Sequence, residues 1–263
     1  MGCCFSAVFP QTTRSLSYKT AKDILNTGDL IYFCNLGSVT SYFTIAATGY
    51  AVSHMGMIVK LENGTLGVLE SVRHDESICD LVGTAAGTTH CGVRIVGLEE
   101  KLTLHGTVTS TPVYIQVLNV ADERRPHLSA ALKEFVRVVN CAPYTKDILC
   151  MCLAPTKSLL SDAVTGRASV PPTSFYCSEL IAEAYKAMGL LPATVVSESV
   201  WPNVFLQNQL RLLGGASLDS EGFYCRAPQH RSEHRTRPQP QHRRVPPPLK
   251  SSNNNVLLVV SDE

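Results

Sequence analysis

Ser53-His54-Met55-Gly56-Met57-Ile58-Val59-Lys60-Leu61-Glu62-Asn63-Gly64-Thr65-Leu66-Gly67-Val68-Leu69-Glu70-Ser71-Val72 is the stretch on which the fold turns. Two strand-like runs, His54 to Leu61 and Thr65 to Val72, flank Asn63-Gly64, the strongest short-range hairpin signal a sequence offers. Two registers are open. A two-residue turn pairs Glu62 with Thr65, and hence Gly56 with Ser71, which puts Glu70 on the face opposite His54. A three-residue loop with Gly64 left-handed pairs Leu61 with Thr65 instead. Gly56 then faces Glu70, and Glu70 becomes a diagonal, same-face neighbour of His54. Gly56 has no side chain and leaves room for the carboxylate to lean over, so the bulged register is the expectation. If the tight turn forms, Ser71 is the better partner for His54.

Outward from this hairpin, Leu30 to Phe33 reads as a strand, as do Val93–Val96 and Val113–Val120, where Val113, Ile115 and Val117 alternate. Residues 34–53 are rich in Gly, Ser and Thr and read as a loop across the mouth of a site. Thr20-Ala21-Lys22-Asp23 resembles a capping box opening a short helix that Gly28 stops. Leu132, Phe135, Val136 and Val139 recur at helical spacing. So do Leu180, Ile181, Ala184, Tyr185 and Met188, ended by Gly189 and Pro192. These stripes mean core packing. The elements together predict an α+β fold, an antiparallel sheet or small barrel packed against helices.

Cys177 stands in Ser174-Phe175-Tyr176-Cys177-Ser178-Glu179-Leu180, where an aromatic run meets the second helix. A thiol there feels the positive helix end and unpaired N–H groups, which favour the thiolate and can hold an oxyanion. Alone, such a cysteine is more often a buried small residue. His54 at the start of a strand is held by a rigid element, as a general base must be. Glu70 would fix the imidazole tautomer of a Cys–His pair. Tyr176 directly precedes the nucleophile candidate, and Trp201 stands further on in Val200-Trp201-Pro202.

Composition narrows the classes. The chain has 263 residues, 44% hydrophobic and 17% charged, enough for one well-buried core. Net charge is +1, but residues 226–263 carry seven Lys/Arg against three acids, leaving −3 for the rest. A core at −3 lacks the basic stripe that phosphate-backbone binding needs, so nucleic acid is excluded as its partner. The ten cysteines come without a signal-peptide pattern or a C-x-x-C pair, so they are expected to be reduced and without metal. Met1-Gly2-Cys3-Cys4-Phe5-Ser6 fits the N-myristoylation pattern at Gly2, and Cys3 and Cys4 supply palmitoylation sites. One acyl chain holds a protein marginally and two hold it stably, so the expected location is the cytoplasmic side of a membrane, reached through acyl chains. Residues 226–250, dense in Arg, His and Pro, read as a disordered tail.

In order along the chain, Gly28-Asp29-Leu30-Ile31, Ser53-His54-Met55-Gly56-Met57-Ile58, Leu69-Glu70-Ser71 and Tyr176-Cys177-Ser178-Glu179-Leu180 resemble the permuted NlpC-like hydrolases, in the branch named after the bacterial YiiX and YebB proteins. The resemblance covers roughly residues 20–210. It implies a circularly permuted papain-like fold in which the His strand precedes the Cys helix. It also implies a catalytic set of Cys177, His54 and Glu70 with no cofactor, Tyr176 lining the site, and Trp201 flanking it where the family has a proline-containing loop after the Cys helix, a place a structural tryptophan fits equally. The loop at 34–50 and the segment 73–110 match nothing in that pattern and are expected to shape the substrate pocket. The organisation expected is an acylated anchor and spacer at 1–17, the hydrolase domain at 18–215 and a tail at 216–263. The expected substrate is a peptide, a lipidated protein or a lipid. Two other readings stay open: a lipid acyltransferase of the lecithin retinol acyltransferase type, which has a second His where this chain has Glu70, and a non-catalytic membrane adaptor.

Overall fold

In the computed structural model the hairpin takes the bulged register. The structure describes residues 12–34, 45, 48–74, 77–109, 111, 113–145 and 173–228. Strands β3 (His54–Lys60) and β4 (Leu66–Val72) pair antiparallel with Met57 opposite Leu69 and Lys60 opposite Leu66. One further step places Gly56 level with Glu70. The loop closes through Leu61 N–H on the Thr65 carbonyl at 2.9 Å, and Gly64 sits at φ +81°. The Asn63 side chain accepts from the Thr65 N–H at 2.9 Å, which fixes the turn locally. The space at Gly56 is used differently from the expectation. A Cβ there would lie 2.6 Å from Val68 Cγ1 and 2.9 Å from the Leu69 carbonyl oxygen, so the neighbouring strand closes over it.

The remaining strands extend this pair. They are β1 (Ser15–Ser17), β2 (Leu30–Phe33), β5 (Gly92–Gly97), β6 (Val113–Gln116) and β9 (Phe223–Arg226). The seven strands run β1-β9-β6-β2-β3-β4-β5, antiparallel except for β1 beside β9. A two-stranded ladder joins β7 (Leu118–Asn119) to β8 (Ser217–Leu218). Helices are α1 (Tyr18–Ala21), α2 (Leu98–Val108), α3 (Arg125–Val139), α4 (Cys177–Ala187) and α5 (Pro202–Leu206).

Both faces of the sheet are covered, so β2, β4 and β5 read as continuously buried. On one face Tyr32, Met55, Met57, Leu69 and Ile95 pack with Leu132 and Val136 of α3 and Leu180, Ile181 and Tyr185 of α4. On the other, Ile31, Phe33, Ile58, Val68 and Val96 pack with Leu25, Leu98 and Leu102. Each fully buried aliphatic side chain of this kind contributes about 1.5–3 kcal/mol.

Asp29, wholly buried, ties the layers at their edge. It accepts from the Asn26 and Leu118 backbone N–H groups at 2.8 Å each. Burial raises its pKa to about 6, against the pull of those two hydrogen bonds and Arg125.

Three expectations change. The first helix begins at Tyr18, because Ser17 and not Thr20 is the cap: its hydroxyl accepts from the Thr20 N–H at 3.3 Å. Residues 15–17, expected in the spacer, pair with Tyr224–Arg226. The domain does not end at 215, since β8 and β9 belong to the sheets, and the compact unit ends at Pro228. Residues 229–263, the larger part of the expected tail, lie outside the described residues.

Candidate functional site

Cys177 is the first residue of α4, preceded by Tyr176 in extended conformation. Glu179 accepts from the Tyr176 N–H at 3.2 Å, half of a capping box. The first helical bond runs from the Leu180 N–H to the Tyr176 carbonyl at 3.1 Å, so the Cys177 and Ser178 N–H groups lie ahead of the ladder. The approach to the helix is pinned from the catalytic hairpin: Ser71 Oγ donates to the Phe175 carbonyl at 2.8 Å. That is the employment of Ser71 in this register, and it leaves Glu70 for His54.

His54 opens β3 opposite Phe33. Its Nε2 lies 2.8 Å from Glu70 Oε2, and the Cys177 thiol is a second hydrogen-bond partner of the same ring. With Nε2 on the carboxylate, Nδ1 is the nitrogen left for sulfur. Cys177 is 7% exposed and the His54 side chain 20%, so the pair sits at the surface's edge and not in the deep core. Burial alone would pull the imidazole pKa down. The Cys177 and Glu70 hydrogen bonds and charges outweigh it and lift the pKa to about 9. At neutral pH the ring is therefore protonated beside the thiol. Phe33 stacks on it, centroids 5.7 Å apart at 29°.

Glu70 is wholly buried yet ionised. Burial would raise its pKa, but Lys101, His54 and Arg94 hold it well below the usual carboxylate range. Arg94 reaches Oε1 through Nε at 3.2 Å and Nη2 at 3.0 Å. Lys101 Nζ lies 3.1 Å from Oε1 and 2.9 Å from Oε2. Arg94 and Lys101 come from the segment 73–110, which the sequence reading left unassigned. A third missed residue is Tyr144, half-buried beside Phe175 in an isolated bridge. Burial and the proximity of Cys177 raise its phenol pKa, so its hydroxyl keeps its proton.

Tyr176 is 6% exposed and donates its hydroxyl to the Glu198 carbonyl, tying the Cys helix to the loop before Trp201. Its ring thereby braces the nucleophile's helix. Trp201 caps α5, partly buried, and its indole Nε1 has no hydrogen-bond partner among the described residues. Gly2, Cys3 and Cys4 lie outside those residues. No helix among them is long and apolar enough to cross a membrane, and no three His, Cys, Asp or Glu side chains among them gather as a metal site. A groove of about 930 Å³ between α3 and the β3–β4 loop, floored by Val59, Ile95, Leu132 and Val136, includes neither Cys177 nor His54.

Comparison with known proteins adds a likeness among solved structures. No protein-family model matches the chain, and no curated protein matches it. Among solved structures, it is similar to the crystal structure described as the metalloprotein YiiX from Escherichia coli O157:H7, at 18% identity and a TM-score of 0.38. That match covers 61% of this chain and spans 64% of the length of the YiiX chain.

Proposed function

We propose that the chain is a membrane-tethered thiol hydrolase that cleaves an amide or peptide-like bond through an acyl-enzyme on Cys177. One observation carries this reading: a single imidazole is shared between a thiol at a helix start and an ionised, buried carboxylate. A strand-borne His preceding a helix-borne Cys is also the order of a circularly permuted papain-like fold.

In the reaction His54 holds the proton of the Cys177 thiol. The Cys177 sulfur attacks the substrate carbonyl carbon, and the carbonyl π electrons move onto oxygen. The Cys177 and Ser178 N–H groups face that oxyanion at the positive end of α4. The protonated Tyr144 hydroxyl is the further donor. Collapse breaks the C–N bond as the imidazolium gives its proton to the leaving amine. Neutral His54 then takes a proton from water, whose oxygen attacks the thioester; the C–S bond breaks, the acid product leaves, and Cys177 and His54 are restored. Glu70 keeps Nε2 engaged throughout, so that Nδ1 carries the proton traffic. No step calls for a metal or organic cofactor.

The test is labelling by a thiol-directed acyl probe. Cys177→Ala should abolish it and Cys150→Ala should not; equal labelling of both removes the assignment. Tyr144→Phe should slow labelling about 10²-fold, the lower end for loss of one oxyanion donor. Tethering through Gly2, Cys3 and Cys4 predicts that Gly2→Ala leaves the membrane fraction, and an unchanged fraction contradicts it. Incubation with phospholipid separates the hydrolase from an acyltransferase: transfer to a lipid acceptor would favour the latter.

A further inference from the structure

The groove between α3 and the β3–β4 loop plays no part in the reaction. It lies at the Val59–Lys60 end of β3, whereas His54 opens the same strand at its other end. On α3 its lining is a stripe that recurs every three to four residues: Ser129, Leu132, Lys133, Val136, Arg137 and Asn140. At the helical rise this stripe runs about 16 Å. Val59 of β3 and Ile95 of β5 pack with Leu132 and Val136 as the floor.

Three features say what chemistry fits. The floor is aliphatic throughout, and no aromatic ring or methionine is among the residues lining the groove. Those are the side chains that anchor protein interfaces. The backbone of the walls is already paired. Val59 pairs with Gly67 and Lys60 with Leu66; the Lys60 N–H donates to the Thr27 hydroxyl at 3.0 Å, and the Ile95 carbonyl accepts from the Leu81 N–H at 2.8 Å. An extended peptide would find few main-chain partners there, and an acyl chain needs none. The rim is basic: Lys60, Lys133 and Arg137 line it against Glu62 alone. Glu62 holds Lys133 at 2.5 Å and Arg137 pairs with Glu134 of its own helix, but these pairs are exposed and weak, so an anion can compete for the cations. Lys60, exposed, has no ion-pair partner among the described residues.

We propose that this groove binds a long-chain fatty acid, its chain along Val59, Ile95, Leu132 and Val136 and its carboxylate on the basic rim. The site goes beyond the thiol hydrolase reading: neither Cys177 nor His54 belongs to it, and it stands whichever bond Cys177 cleaves.

The experiment titrates the full chain by calorimetry with sodium decanoate, dodecanoate and tetradecanoate, each below its micelle threshold. One site is expected, tightening about fourfold per added methylene, the fold-change for burying one CH2 group. Nuclear Overhauser contacts from the dodecanoate chain should reach the methyl groups of Val59, Ile95, Leu132 and Val136. Ser129→Trp plugs the groove from α3 and should abolish binding; if it does not fold, Ala130→Phe on the exposed side of the same turn makes the plug. Lys60→Gln, Lys133→Gln and Arg137→Gln together should weaken dodecanoate about tenfold and leave dodecanol unchanged, because exposed charge contacts act only on an ionised head. Affinity that ignores chain length, binding at micellar concentrations only, contacts to methyl groups elsewhere, or full binding by the plugged chain overturns the proposal. So does binding to phosphatidylserine vesicles without binding of monomeric fatty acid, which would make the groove a membrane-docking face.

Discussion

The fold holds two histidine–carboxylate pairs that look alike and do different things. His54 Nε2 meets Glu70 at 2.8 Å and His90 Nε2 meets Asp80 at 2.9 Å; each carboxylate side chain is wholly buried, and the imidazoles are 20% and 19% exposed. The difference lies in what else each pair touches. Asp80 spends its other oxygen on backbone, accepting from the Val82 and Ile95 N–H groups at 3.1 Å each, and His90 Nδ1 bonds the Cys91 carbonyl at 3.0 Å. That pair fastens the loop before β5. Among the described residues Glu70 takes no backbone donor; it is held by Arg94 and Lys101, and the imidazole's second partner is a thiol. A histidine beside a carboxylate is therefore no signature of chemistry. The free ring nitrogen and the charge behind the carboxylate decide it.

The sharpest way to break this comparison is to remove the two rings in turn. His54→Gln should slow acyl-probe labelling of Cys177 by about 10²–10⁴-fold, the range for a positioned acid–base group. His90→Gln should leave it within about twofold. Equal losses would make the two pairs equivalent.

Next come the carboxylates. Glu70→Gln removes the carboxylate charge that Arg94, Lys101 and His54 share and should cost about 3–5 kcal/mol of stability in denaturant unfolding. Asp80→Asn keeps an oxygen for its backbone donors and should cost about 1–3 kcal/mol, with labelling unchanged.

The pH dependence follows from the shifted groups. The folded His54 pKa of about 9 lies above its ordinary 6.5. Its stabilisation is fully present below pH 6.5 and is lost as pH rises through 9. Glu70, lowered, acts in the opposite sense: its contribution is present above its ordinary 4.5 and is lost only as pH falls through its depressed folded value. Unfolding midpoints measured across pH should show the alkaline loss in the native chain and a smaller one in His54→Gln. The smallest effect expected is that of Gly56→Ala, about 1–3 kcal/mol, because Val68 and the Leu69 carbonyl must yield to a Cβ.

Much of the hairpin was legible because Asn63-Gly64 fixes a turn and the period of two does the rest. Helix α4 was legible from its apolar stripe, and its first residue from the aromatic run before it. Arg94 was not. In Val93-Arg94-Ile95 alternation turns the arginine away from one buried face, and nothing local says that the opposite face is buried too. Helix α2 did carry a signal in Leu98, Leu102 and His105, spaced along one face and buried, with Glu99 and Glu100 in the first turn. Lys101 beside them reads as a solvated charge until Glu70 is placed against it. Strand β9 was missed for a different reason. It is four residues long and exists through pairing with β6 and β1, more than a hundred positions away in sequence. Tyr144 has no local mark at all; only the bridge to Phe175 brings it to the nucleophile.

The central claim is that His54, standing beside Cys177, activates its sulfur as a nucleophile. Cys79, Cys91 and Cys141 are exposed, whereas Cys177 is almost covered, so access and activation make opposite forecasts. Alkylation of the native chain at pH 6, read site by site by mass spectrometry, separates them. The account predicts that Cys177 reacts at least about tenfold faster than the three exposed thiols, and that His54→Gln abolishes the advantage. Exposed cysteines reacting first, with Cys177 indifferent to His54, would contradict it.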